Sequence, residues 1–216
     1  MTVGFFLALR GDVSHFLHGS ALAYEVKLVM PGVEVVQFTD DKTPMVPGAD
    51  RCVRFDGEAP LLEQRLSLYA SVSGEWLFVD TDVSVRNDVR GLFADPVFDV
   101  ALCDRNWPHL VQGETMMQTM PFNTGVCLTR CQPFWRRVLA RWQSYPEHVK
   151  RDWLSEQQAV YDVVRSGRFR VKILPGMIYN YPPKSADDRP IVAAMLHYKG
   201  PRKPWRSALA MQTLAG

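Results

Sequence analysis

The chain has 216 residues, 47% of them hydrophobic, enough for one well-buried core but not for two comfortable domains, so a single domain over 1–216 is expected. Its 25 Lys plus Arg nearly balance 23 Asp plus Glu, leaving a formal charge of +2 and no electrostatic basis for a general nucleic-acid or acidic-membrane binder. No apolar run reaches the roughly 18 residues of a membrane span, and the opening Val-Gly-Phe-Phe-Leu-Ala-Leu is short for a signal-peptide core and has no basic region before it, so a cytoplasmic protein is expected.

In chain order, short β-branched and aromatic runs alternate with stretches of helical period. Strands are predicted at 3–9, 33–38, 52–55, 75–80, 98–103, 125–129, 169–174 and 192–198. Between the first two lies a predicted helix over 14–29, closed by Pro31 and Gly32. His15 and His18 stand at i and i+3 on it and are expected to be surface or packing residues. A second helix follows Pro60 and spans 59–72. The third, 133–145, starts with Pro133 in its first turn and aligns Phe134, Trp135, Val138, Leu139 and Trp142 on one face. Its arginines, Arg136, Arg137 and Arg141, are expected on a solvated face. A fourth helix spans 152–167, with Asp152 available as N-cap, Gly167 as stop and Trp153 in its core stripe with Val160, Val163 and Val164. The segment 179–190 is predicted to be a long surface loop. Alternating strands and helices imply an α/β fold with a mainly parallel central sheet flanked by helices. The four cysteines, Cys52, Cys103, Cys127 and Cys131, lie in or beside apolar runs without zinc-knuckle spacing and are expected to be reduced and buried.

Two stretches carry chemistry. In Trp-Leu-Phe-Val-Asp-Thr-Asp-Val, 76–83, an apolar strand ends in Asp80, Thr81 and Asp82. Two carboxylates one residue apart on an extended chain face the same side and can meet one divalent cation, which can in turn hold a diphosphate. An Asp-rich turn after a strand has the same residues. In His-Tyr-Lys-Gly-Pro-Arg-Lys-Pro-Trp, 197–205, His197 ends a strand, Gly200 and Pro201 mark a turn, and Lys203 leaves it. An imidazole can complete an oxygen-rich site for a borderline ion such as Mn²⁺, and Gly200 amides with the Lys203 ammonium can bind phosphate oxygens.

These segments, with Phe-Asn-Thr-Gly-Val at 122–126, Ser-Glu-Gln-Gln at 155–158 and Leu-Pro-Gly-Met-Ile-Tyr-Asn-Tyr at 174–181, occur in the order seen in glycosyltransferase family eight. The chain resembles a compact member over roughly residues 60–205. The resemblance implies a GT-A fold, a nucleotide-sugar donor, most often UDP-linked, and a Mn²⁺ or Mg²⁺ ion held by Asp80, Asp82 and His197. It also implies that Arg65, Asp80 and Thr81 meet the donor, that Asn123, Thr124 and Gly125 line the donor-sugar pocket, and that Gly200 and Lys203 hold the diphosphate. Glu156 and Gln157 stand where relatives tend to carry Asp-Gln; Glu156 is expected to bond sugar hydroxyls and Gln157 to lie near the anomeric carbon, with two solvent-facing helix residues as the alternative. Asp80, Glu156 and Gln157 are the expected catalytic set.

The implied function is metal-dependent transfer of a hexose from a UDP-sugar to a hydroxyl acceptor with retention of anomeric configuration. The acceptor is a saccharide, a protein side chain or a nucleic-acid base, and Trp107 and His109 are placed near its cleft. The segment ending the first strand lacks the family's early acidic base-binding motif, so the nucleotide is less firmly implied than the metal. The last residues lack a basic, aromatic tail, which disfavours a membrane-bound lipid acceptor. Two alternatives are a catalytically silent nucleotide-sugar-binding module and a sugar-phosphate nucleotidyltransferase. The latter usually opens with a Gly-rich loop, whereas Leu-Ala-Leu-Arg-Gly-Asp-Val-Ser has a single glycine.

Overall fold

The apolar runs without a polar face become strands of one central sheet, as strands covered on both sides must. The computed structural model describes residues 1–9, 13–105, 110–111, 114–115 and 120–215. Its strands are β1 (Thr2–Phe6), β2 (Glu34–Thr39), β3 (Arg51–Arg54), β4 (Trp76–Val79), β5 (Val83–Val85), β6 (Val100–Asp104), β7 (Leu110–Val111), β8 (Glu114–Thr115), β9 (Phe122–Thr129), β10 (Val171–Leu174) and β11 (Met195–His197). The helices are α1 (Ser14–Val29), α2 (Leu61–Ser71), α3 (Gln132–Gln143), α4 (Glu147–Lys150), α5 (Ser155–Arg165), α6 (Gly176–Tyr179) and α7 (Lys203–Ala215).

The main sheet has seven strands in the order β10-β6-β9-β4-β1-β2-β3. Every pairing is parallel except those of β9, which runs antiparallel to both β4 and β6. The expected α/β architecture with a mainly parallel sheet is therefore present. All four residues of β4 are buried, between β1 and β9. Alternation sends its side chains to two separate cores. Leu77 and Val79 join Val3, Phe5, Leu22 and Val26 on the α1 face. Trp76 and Phe78 join Leu66, Tyr69, Phe134, Trp135 and Val160 on the face covered by α2, α3 and α5. Gly4 keeps the middle of β1 open on this second face, where an added Cβ would stand 2.6 Å from the Phe38 ring.

The α3 stripe forms as expected, with Phe134, Trp135, Val138 and Trp142 buried and the interleaved arginines exposed. Gly167 lies just past α5 with φ +65°, a conformation suited to glycine. All four cysteines are free thiols; Cys103 and Cys127 are buried, while Cys52 and Cys131 are half-buried. No described helix is long and apolar enough to cross a membrane.

Several expectations are corrected. Strand β1 stops at Phe6, and β9 begins at Phe122, three residues before the predicted start at Gly125. Helix α5 begins at Ser155, with Leu154 rather than Asp152 at its N-cap; the Asp152 carboxylate instead accepts from the Leu154 N–H at 2.8 Å. Trp153 therefore precedes the helix, outside its core stripe, and is 64% exposed. The predicted surface loop, 179–190, instead opens on Tyr179 at the end of α6 and continues through two buried residues, Asn180 and Tyr181. Strand β5 and helix α7 were not anticipated. Trp107 and His109 lie outside the described residues.

Candidate active site

Strand β4 ends at Val79, and the chain turns through Asp80, Thr81 and Asp82 into β5. The turn is closed by the Val83 N–H donating to the Asp80 carbonyl at 3.0 Å, and Asp80 N–H donates to Gly125 O at 2.8 Å. Strand β5 pairs antiparallel with β11, putting His197 opposite Val83. The Tyr198 N–H donates to the Asp82 carbonyl at 2.9 Å, locking the second aspartate against the strand that carries the histidine. Nε2 of His197 then lies 3.1 Å from Asp82 Oδ1 and 3.8 Å from Asp80 Oδ2. One ligand atom from each of the three residues falls within 4.8 Å of the others. The three residues that the resemblance implies as metal ligands thus converge.

The tautomer of His197 follows from its neighbours. The backbone N–H of Gly125 donates to Asn123 Oδ1 at 3.0 Å, which identifies that atom as the amide oxygen. Asn180 Nδ2 donates to the same oxygen at 2.8 Å, so Asn180 Oδ1 faces His197 Nδ1 at 2.6 Å and must accept its proton. His197 therefore carries hydrogen on Nδ1, and Nε2 is left as an electron-pair donor toward the two carboxylates. Gly125 makes this packing possible, because an added Cβ would overlap His197 Cε1. Burial by itself would raise the pKa of Asp82, but the charge and hydrogen bond of His197 in its protonated form, followed by Lys203 and His15, outweigh it and hold the carboxyl well below the usual carboxylate range; the free Nε2 lone pair belongs to the neutral ring that a cation would select.

Arg65, buried in the first turns of α2, bridges two acids. Its Nη2 donates to Asp80 Oδ1 at 2.8 Å, and Nη1 lies 3.5 Å from Glu156 Oε2. Burial disfavours its charge, but Asp80 and Glu156 reverse that and raise its pKa further. Glu156 is only 2% exposed, so it neither faces solvent nor stands on the cavity surface; it backs Arg65. Burial, opposed by Arg65 and reinforced by Asp80, pushes the Glu156 pKa up. Its Oε1 and the Arg65 Nε are buried without a hydrogen-bond partner among the described residues.

A cavity of 660 Å³ opens over this constellation. Its wall includes Arg65, Asp80, Thr81, Asp82, Asn123, Gln157, His197, Gly200 and Lys203, while Thr124, Gly125 and Glu156 lie behind it. Gly200 takes φ +61° to turn the chain into α7. Further wall residues not expected as site residues include His15, Arg105, Trp153, Lys199 and Arg202, together with apolar ones such as Leu61, Leu62 and Leu154. His15 stands 3.3 Å from Thr81 Oγ1 through Nδ1 and 3.4 Å from Lys203 Nζ through Nε2. Because an ammonium only donates, Nε2 accepts and Nδ1 carries the hydrogen. His18, by contrast, is buried against Ser207 as a packing residue. Arg105 donates to Gln157 Oε1 and to the Phe122 carbonyl. Burial draws the Arg105 pKa down to about 10, and burial with Arg105 nearby draws that of Lys199 to about 8.

No protein-family model matches the sequence, nor does any curated protein. Solved structures do match in fold. A glycosyltransferase involved in glycosylation of the major capsid of PBCV-1 aligns with TM-score 0.64 and 16% identity over 98% of this chain and 100% of that one. Galactosyltransferase LgtC, solved with donor and acceptor sugar analogs, aligns with TM-score 0.63 and 15% identity over 100% of this chain and 95% of that one. GlyE of Streptococcus pneumoniae TIGR4 gives TM-score 0.69 and 15% identity over 98% of this chain and 59% of that one. The chain has the GT-A fold. In this GT-A fold the Asp-x-Asp turn sits at the carboxyl end of β4, where open α/β sheets gather ligands.

Proposed function

We propose that the protein is a metal-dependent, retaining glycosyltransferase of the family-eight type, moving a hexose from a UDP-sugar to a saccharide or other hydroxyl acceptor. The observation that carries this reading is the convergence of Asp80, Asp82 and the lone pair of His197 Nε2 beneath a cation-lined cavity in a GT-A fold. Two carboxylates and one imidazole suit Mn²⁺ and also admit Mg²⁺. These three residues would hold the ion, which when bound supplies positive charge against the diphosphate.

The protein's own groups account for the rest. Lys203 and the amides of the Gly200 turn face the leaving diphosphate, with His15 orienting the ammonium. Arg65, tethered by Asp80 and Glu156, keeps a fixed cation beside the donor without reorganising during reaction. Asn123 lines the donor-sugar pocket and Thr124 with Gly125 form its backing, while Thr81 meets the donor between the two aspartates. Gln157, held by Arg105, presents its carboxamide to the sugar. In transfer, the acceptor oxygen bonds to the anomeric carbon as the bond from that carbon to the phosphate oxygen breaks. The acceptor proton passes to the departing phosphate oxygen on the same face, so configuration is retained. This assigns Glu156 to positioning through Arg65 rather than to direct sugar contact.

The test is release of nucleotide diphosphate from a panel of UDP- and GDP-sugars with Mn²⁺. Turnover is expected with a UDP-sugar, and EDTA or Asp82→Ala should reduce it by at least a hundredfold. Turnover indifferent to both changes would contradict the metal assignment. Tight UDP-sugar binding without turnover to any acceptor or water would favour a silent binding module. Pyrophosphate release from a nucleoside triphosphate and a sugar phosphate would favour nucleotidyl transfer.

A further inference from the structure

Trp153 is out of place as a structural residue. Trp76, Trp135 and Trp142 are buried to 6% exposure or less, whereas Trp153 is 64% exposed on the lip of the cavity. Unlike exposed apolar residues scattered over the outer surface, this indole lines the cavity beside further apolar side chains, where ligand pockets place aromatic groups. The backbone that carries it is held. Asp152 N–H donates to Val149 O at 3.0 Å, Ser155 N–H donates to Asp152 O at 3.0 Å, and the Asp152 carboxylate takes the Leu154 N–H at 2.8 Å. Ser155 is in turn anchored by Trp142 Nε1 at 2.9 Å. The indole is thus presented on a fixed turn, with Leu61, Leu62 and Leu154 adding apolar surface to the same wall.

Its place along the cavity indicates what it meets. The groups suited to a diphosphate, His15 and Lys203, belong to α1 and α7 on one face of the sheet. Arg65, backed by Glu156, and Gln157, suited to the donor sugar, belong to α2 and α5 on the other face, and Trp153, which also lines the cavity, precedes Gln157 by four residues. A nucleotide-sugar is linear, with its base beyond the diphosphate from the sugar. What adjoins the sugar's reacting carbon is the acceptor.

We infer that Trp153 is the stacking platform for the acceptor, and that the acceptor is a saccharide whose pyranose ring lies on the indole. Carbon-bound hydrogens on one face of a pyranose carry partial positive charge and pack on the negative face of an aromatic ring, while the ring hydroxyls stay free to point at the donor. The inference rests on the glycosyltransferase reading and adds a substrate class to it.

The experiment uses the full chain with Mn²⁺ and its best UDP-sugar, following UDP release to water, to lactose, to maltose, to glycerol and to a serine-containing peptide. Wild-type protein should be stimulated by a disaccharide more than by glycerol or peptide. Trp153→Ala should lower transfer to the disaccharide at least tenfold relative to transfer to water, through a raised acceptor KM. Trp153→Phe, which keeps an aromatic face, should recover most of the loss. A parallel fall in transfer to water and to sugar would overturn the platform and place Trp153 on the donor. Stimulation by peptide or glycerol with none by sugars would overturn the acceptor class while leaving the glycosyltransferase reading intact. No release from any donor, even to water, would remove that reading and the platform with it.

Discussion

Asn180 is buried and is not on the cavity wall, yet it decides which nitrogen of His197 is free. With its oxygen on Nδ1 at 2.6 Å, Nε2 keeps its lone pair for a metal. Asn180→Ala should therefore weaken Mn²⁺ binding by about 10- to 100-fold, the usual cost of losing such an outer partner. Calorimetric titration of Mn²⁺ into the protein with UDP present measures this directly, and unchanged affinity would mean that the amide chain does not orient the imidazole. His18 makes a second prediction at this scale. Burial first, then Arg206 and His15, lower its pKa from 6.5 to about 4. The folded protein thus keeps His18 neutral at pH values where the unfolded chain already protonates it. Stability is fully present above pH 6.5 and falls between pH 6.5 and 4, by no more than about 3 kcal/mol from this residue. In urea unfolding across that window, His18→Gln should show a shallower decline than the parent; identical slopes would refute the linkage.

At the level of elements, one buried ion pair ties three of them together. Glu25 in α1 accepts from Arg206 Nη1 of α7 at 2.6 Å and from the Val85 N–H of β5 at 3.0 Å. Strand β5 pairs with the strand bearing His197, so Glu25 braces the metal ligands from behind. Glu25→Ala strands a fully buried guanidinium and should cost about 3–5 kcal/mol, read as a lower urea midpoint. A loss under about 1 kcal/mol would show that Arg206 finds water or another acceptor. The helices α1, α2 and α3 and strand β4 were legible in the sequence because proline or glycine marks an end of each, and α3 adds an apolar stripe of helical period. Residues 122–124 were not, since Asn-Thr-Gly resembles a turn; pairing of Cys103 with Asn123 and Asp104 with Phe122 draws them into β9. Helix α7 had a signal, Pro204 in the first turn of an Ala- and Leu-rich segment, but the preceding Gly-Pro turn masked it. His15 was illegible for a different reason: its partners Thr81 and Lys203 lie 66 and 188 residues away.

On the scale of the whole molecule, a formal charge of +2 hides a strongly local arrangement. His15, Arg65, Arg105, Lys199, Arg202 and Lys203 line one cavity around two aspartates, while elsewhere charges pair locally on the surface, as Arg51 does with Glu34, Arg90 with Asp88 and Arg141 with Asp162. Composition excludes a general polyanion binder but is silent about such a focus. The Asp-x-Asp and the final histidine were recognisable from the resemblance, yet what joins them is topology: an antiparallel strand pair that brings residues 82 and 197 into contact. The most direct measurement is therefore a crystal structure of the protein with Mn²⁺ and UDP, using anomalous scattering to locate the ion. The expected result is an ion bound by Asp80, Asp82 and His197 Nε2, with the diphosphate against Lys203 and the Gly200 turn. An ion bound without His197, or UDP bound away from this cavity, would contradict it.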